Sequence, residues 1–398
     1  MKKLLSSTTV SVGLAIFSML FGAGNLLYPL KVGITSGNHY LVGILAFLIT
    51  AVCLPVAGLI TLILYDGSYE EFFGRLGKKF GKFCIFLCML IIGPGLAMPR
   101  IITLSHTMTA PFLPIPVLQT INPWSSFIFS VIFLTLTFLG SFRKSEIISL
   151  LGRYISPTLL LALIIIIVKG ILTAQSTFIN PAPAMTIFKN SIKIGYETLD
   201  LFGTIFFASI ILSAIAKSLC FPEGTSCKEK AIVGFKSGIL GGSLLALVYA
   251  GINFLGAFHG QGIAYANEGE LFRIISFNIL THYGAIIIGT AVFMACYSTA
   301  ISLAAVVGQY VQQELFKNKI GFVPSLAIVL LACVPLSTAG LSTVLNLTAG
   351  PLTYVGYPTL IALTVFNFAY KVWGFKPVKI PVLLTFIAML AAYIYQYL

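Results

Sequence analysis

Two short runs place polar and helix-breaking residues inside apolar stretches. Residues 21–29 read FGAGNLLYP and residues 195–203 read GYETLDLFG. Gly and Pro interrupt a helical hydrogen-bond ladder, and backbone groups freed in hydrocarbon cost several kcal/mol unless protein, water or a ligand satisfies them. Asp200 near the middle of a span costs about 2.5–3.5 kcal/mol on the insertion scale, so it should face a cavity or a partner. A third run, IGPGLAMPR at residues 92–100, should be kinked at Pro94 and Pro99 and carries Arg100, an intramembrane base or a snorkelling one. A fourth, ACYSTAISL at 295–303, puts Ala295, Ser298 and Thr299 on one helical face. One carbonyl and two hydroxyls suit a hard cation that takes oxygen ligands, although such hydroxyls also bond back to their own helix.

The elements that must position these residues follow from composition. Of 398 residues, 58% are hydrophobic and 9% charged, and mean hydropathy is +1.01. That balance excludes a soluble, secreted, disordered or nucleic-acid-binding protein and gives an all-α polytopic membrane protein. Eleven windows are long and apolar enough to span, at about 8–30, 40–65, 82–107, 124–142, 145–170, 188–216, 231–256, 282–312, 321–337, 341–370 and 380–397. The tenth opens on AGLSTVLNLTAGP, which also fits a shorter helix after a partly re-entrant segment. Met1-Lys2-Lys3 before an apolar run has the form of a signal peptide, but the run continues to Pro29, which favours an uncleaved first helix.

With a cytoplasmic N-terminus, 18 of the 24 Lys and Arg fall on inside loops. Only Lys31, Arg100, Lys169, Lys189, Lys193 and Arg273 are left for the outside or the membrane, the bias expected of correctly counted spans. The net charge of +13 therefore reflects topology, with the lipid bilayer as partner and no nucleic acid. The interrupted first and sixth spans lie five apart. Five is odd, so the two run in opposite directions and two five-span halves are related by inversion. Paired interruptions at corresponding places in two halves are the sequence mark of a transporter's binding site, against the plainer reading of close packing through small residues.

Other classes lack their residues. Cys53, Cys84, Cys88, Cys220, Cys227, Cys296 and Cys333 form no paired C-x-x-C set and read as small apolar residues. His39, His106, His259 and His282 are scattered, and no H-E-x-x-H, G-x-S-x-G or phosphate-binding loop occurs, so no enzyme is indicated. A channel needs polarity along several spans, whereas here it is confined to helix breaks.

FSMLFGAGNLLYP, IGPGLAMPR, GYETLDLFG and ACYSTAISL resemble, in order and place, the motifs of the bacterial branched-chain amino acid:cation symporters, also called BrnQ-type, over residues 10 to 370. The resemblance implies a LeuT-like fold of five plus five inverted helices with broken first and sixth helices, in one domain over 1–398. The first repeat covers about 8–170, the second about 188–370, and an extra C-terminal helix about 380–397. It implies uptake of Leu, Ile and Val across the bacterial cytoplasmic membrane with Na+ or H+ and no other cofactor, and no obligate protein partner is inferred. Carried onto this chain, Gly22, Ala23 and Gly24 would receive the amino acid's carboxylate and Asn25 would steady the broken turn. Asp200, Phe202 and Gly203 fall at the sixth helix's break. Ser18 and Phe21, with Ala295, Ser298 and Thr299, match the places where sodium is held. Arg100 and Glu197 are candidates for coupling or gating. Glu197 stands where relatives tend to be apolar, Ser105-His106-Thr107 replaces the usual Ser-Phe-Glu, and one span follows the tenth where many members have two. A buried Glu197 offers a proton route, and the neutral oxygens around Ser298 and Thr299 a sodium route.

Overall fold

Only helices can satisfy every backbone group within a span, and among the described residues all regular structure is helical. The protein is seen in a computed structural model that describes residues 2–22, 24–174, 176–218, 227–263, 268–280, 284–348 and 350–395. Ala23, Cys220 and His282, singled out above, lie outside these residues.

The first window is two helices, α1 (Lys2–Leu20) and α2 (Gly24–Ser36), and Pro29 sits inside α2 rather than ending it. A 3-10 turn at Gly37–His39, with Gly37 at φ +54°, leads to α3 (40–64), which contains a π turn at Ile49–Cys53. A short helix, Tyr69–Gly74, starts where Ser68 accepts from the Glu71 N–H at 3.2 Å. The third window divides into α4 (Lys78–Leu90) and α5 (Ala97–Thr109). The expected kink falls at Gly93–Leu96, where Gly93 has φ −90° and ψ −125° and Leu96 has φ −147°, while Lys78–Phe112 still runs as one span. Next come α6 (Pro123–Ser141), opened by a reciprocal Asn122–Ser125 cap, and α7 (Ile147–Leu172).

The sixth window is α8 (Ala184–Tyr196) and α9 (Asp200–Ser218), bent by 45°. After α10 (Cys227–His259), the segment between the seventh and eighth windows holds α11 (Glu268–Leu280), which packs on α2, α5, α7 and α12 (Gly284–Tyr310). Then follow α13 (Phe322–Ser337), α14 (Leu341–Thr348), α15 (Tyr357–Trp373) and α16 (Lys379–Tyr395). A π turn at Leu352–Gly356 lies between α14 and α15, and Leu341–Trp373 together is one stretch long enough to span. Among the described residues, seven helical stretches are long and apolar enough to cross a membrane, and the bent α8–α9 pair makes an eighth. Thr8–Leu20, α13 and α16 are apolar but shorter.

The most extensive packing joins α10 to α1 and α2. It depends on backbone approach: a Cβ at Gly33 would run into the Asn253 carbonyl, and one at Gly256 into the Leu30 carbonyl. Asn253 sits at the crossing between the Gly33 N–H and the Tyr40 carbonyl; with its amide assigned to satisfy both, the oxygen accepts from Gly33 (2.9 Å) and the nitrogen donates to Tyr40 (3.2 Å). On its other side α1 meets the fifth span, where the Ser156 hydroxyl donates to the Leu14 carbonyl at 2.7 Å. Both halves of the first broken helix are thereby held against α10, and α1 also against the fifth span. Gly33→Leu should destabilise the detergent-purified protein by about 1–3 kcal/mol or more, the cost of overpacking. Gly289→Leu, where a new side chain meets nothing within 4 Å, should leave the unfolding midpoint unchanged. Thermal unfolding of the two variants checks this.

Candidate functional site

Three helix breaks converge on one cavity. Its wall takes Gly22, Gly24 and Asn25 from the first break, Ile91, Ile92, Ala97 and Arg100 around the third-span break, and Thr198, Leu199 and Asp200 from the sixth. Thr299 and Leu303 of α12 close it.

At the first break the Gly22 N–H turns to the Leu20 carbonyl (3.0 Å) instead of continuing the ladder to Ser18, which deprives the Ser18 carbonyl of its usual donor. The Asn25 N–H closes the turn on the Gly22 carbonyl at 3.1 Å. At the sixth, the flanking glycines are not the hinge. Leu199 itself takes the left-handed conformation, φ +61°, an unfavourable place for a branched side chain. Gly195 serves packing instead, since a Cβ there would collide with the Thr50 hydroxyl.

The side chains tie the breaks together. Arg100, 6% exposed, donates to the Glu197 carbonyl (3.0 Å) and lies 3.5 Å from the Thr198 carbonyl, with its guanidinium over the Tyr28 ring. It thus places positive charge at the C-terminal end of α8, where carbonyls lack helical donors and the helix dipole is negative. Asp200 begins α9, where the dipole is positive. Its carboxylate accepts from Asn25 Nδ2 (2.7 Å) and from the Tyr249 hydroxyl (3.3 Å), and Asn25 also donates to Tyr249. The Asp200 N–H reaches Thr198 Oγ1 at 3.4 Å. So Asn25 bridges the two breaks as well as closing its own turn. Arg100 and Asp200 line the same cavity without forming an ion pair, each being held by other groups.

The remaining expected site residues are divided between the cavity and other places. Phe202 packs its ring on Tyr357, 5.9 Å away, and lines a separate groove, while Gly203 lines the cavity. The Glu197 carboxylate is 3.9 Å from Lys31 Nζ and partly exposed. Thr299 is brought to the first break, where its hydroxyl donates to the Met19 carbonyl (3.3 Å). Ser298 donates to the Ala295 carbonyl at 3.0 Å. The Ser18 hydroxyl is buried and makes no hydrogen bond, and Phe21 is buried against Phe17 and Tyr249. No cluster of three His, Cys, Asp or Glu able to hold a metal occurs among the described residues. His106 is a packing residue, stacked on Phe129 and 3.1 Å from the Leu118 carbonyl.

Tyr249 and Asn253 were not anticipated. Each is a polar side chain in the C-terminal third of the apolar α10, and a phenol or amide inside a span requires a partner, which was the available signal.

The sequences described as "Branched-chain amino acid transport protein" match this chain over residues 5–396. The branched-chain amino acid permease BraB of Bacillus subtilis is 27% identical over 92% of this chain and 80% of its own length. The permease BrnQ of Lactobacillus delbrueckii subsp. lactis is 28% identical over 95% and 84%. Among solved structures, MhsT in complex with L-phenylalanine aligns with a TM-score of 0.59 at 16% identity, covering 97% of this chain and 98% of that one. The likeness establishes the expected LeuT-like fold.

Tyr249→Phe should remove one hydrogen bond from the Asp200 carboxylate and destabilise the folded protein by about 1.5–3 kcal/mol, the range for bonds to charged groups. Combined with Asp200→Asn, the same change should cost much less, because the charge it serves is gone. A double-mutant cycle on unfolding in detergent measures the difference.

Proposed function

The chain belongs to the family of branched-chain amino acid transport proteins, and from that premise we propose that it takes up Leu, Ile and Val across the cytoplasmic membrane by Na+ symport, through the cavity where its three breaks meet. The observation that carries the reading is the pairing of opposite charges across an otherwise apolar pocket. Arg100, the N-terminal end of α2 at Gly24 and Asp200 line it together with Leu20, Ile91, Ile92, Ile101 and Leu303. A zwitterion with an aliphatic side chain matches that wall. Its carboxylate meets the guanidinium and the half-helix N–H groups, its ammonium meets Asp200, and its branched carbons meet the apolar residues. One methylene is worth only about 1–3 kcal/mol in such a pocket, so the three substrates compete within modest factors.

The sodium reading rests on oxygen chemistry between α1 and α12. The Ser18 carbonyl has lost its helical donor and the Ser18 hydroxyl is buried without a hydrogen bond. With the Phe21 and Ala295 carbonyls and the Ser298 and Thr299 hydroxyls, these supply neutral oxygens of the kind a hard monovalent cation takes. An ion held there would favour one arrangement of α1 against α12 and so bias alternating access. Glu197 fits a proton carrier less well, because its carboxylate faces Lys31 at the rim and only its main-chain carbonyl meets Arg100. The excess of bases on alternate loops supports a cytoplasmic N-terminus.

In proteoliposomes at fixed pH, an inward Na+ gradient should drive leucine accumulation that competing isoleucine and valine reduce. Ser298→Ala with Thr299→Ala should eliminate the Na+ dependence. Uptake that follows a pH gradient without Na+, and that Glu197→Gln uncouples, would replace sodium by the proton. A Cβ at Gly24 would collide with the Arg100 guanidinium, so Gly24→Val should abolish leucine binding while the protein still inserts. Unchanged affinity in that variant removes the break from the substrate site.

A further inference from the structure

The groove that Phe202 lines is distinct from the substrate cavity and is rimmed by exposed apolar side chains, as a lipid-facing surface would be. It occupies about 470 Å³ between α4, the start of α9, the α15 region and α16. Phe80 and Phe83 of α4 and Leu383 and Phe386 of α16 form its rims, all of them exposed, and its lining is almost wholly apolar. Among the described residues of that lining the one charged group is Lys379, the exposed first residue of α16. From Phe80 to Ile91 the groove follows α4 for eleven residues, roughly 16 Å at the helical rise, about half of a ~30 Å hydrocarbon core. An ammonium therefore stands at one end of a channel as deep as a single leaflet.

From this geometry we propose that the groove binds an anionic phospholipid, with one acyl chain laid along α4 and the phosphate at Lys379. The length fits a chain rather than a compact ligand, and the bare apolar walls supply nothing that would orient a polar solute. The base lies on the side where Lys78, Lys79 and Lys376 also stand in the flanking segments, and a phosphate is drawn to such a side. The inner end of the groove gives the lipid a reason to matter. Ile91 lines both the groove and the substrate cavity and begins the π turn of the third-span break, and Phe202 is two residues past Asp200 in the first turn of α9. A chain seated there touches two of the three breaks from behind. Binding itself does not depend on the transport reading given above.

The test is native mass spectrometry of the full chain released from nanodiscs of equal phosphatidylglycerol and phosphatidylcholine. The wild type should retain phosphatidylglycerol in preference. Lys379→Gln should reduce that preference about fivefold, the factor expected for one base near an anionic headgroup. Cys84→Trp, which fills the groove, should abolish retention, with an unchanged unfolding midpoint showing that the fold survives. If Cys84→Trp unfolds the protein, Thr359→Trp on the opposite wall makes the same test. Equal retention of both lipids, or undiminished retention in a folded groove-filled variant, overturns the proposal. So does a crosslink from Leu383→Cys to a second copy with no lipid retained, which would make the groove a subunit interface.

Discussion

Everything at the centre of this molecule depends on one constraint: a backbone group freed inside a membrane must find a partner within the protein. Three helices are broken at similar depth, and each break creates such groups. The structure meets the requirement by bringing the breaks together, so that side chains near one satisfy the open ends of another. Arg100, just beyond the third-span break, donates to the carbonyl left by α8 at Glu197. Asn25, just beyond the first break, donates to the carboxylate that begins α9.

The signs of charge follow from the same geometry. Breaking a helix exposes a negative end and a positive end where a continuous helix would expose none. In the sixth helix a base stands at the negative end and an acid at the positive end, so each intramembrane charge is held by dipoles and hydrogen bonds and the two need not neutralise each other. A direct Arg100–Asp200 pair would have closed the pocket electrostatically. Their separate anchorage leaves a polar cavity with opposite charges facing it, the property that suits a zwitterionic ligand.

The strain this arrangement carries is supported by close packing around it. Leu199 holds a left-handed conformation at the sixth break, and it can persist because α8 is fixed against α3 at Gly195 and α9 is fixed through Asp200. The same small-residue logic seats α2 on α10 at Gly33 and Gly256. The groove lined by Phe202 and Ile91 adjoins two of the interrupted segments.

The sequence by itself determined the class, the approximate spans and the broken first and sixth helices, because hydropathy over about twenty residues and interrupted glycine-rich runs are local properties. It also identified Asp200 and Arg100 as needing partners, since a charge in hydrocarbon is anomalous wherever it occurs. It did not determine which partners those were. Tyr249 lies 49 positions from Asp200 and Asn25 lies 175, and only helix packing brings them to one carboxylate. The hinge at Leu199, the placing of the third-span kink at Gly93 and the turning of Phe202 away from the cavity were likewise tertiary decisions. A glycine permits a break without requiring one, and where the chain yields is set by which neighbours can satisfy the backbone it frees.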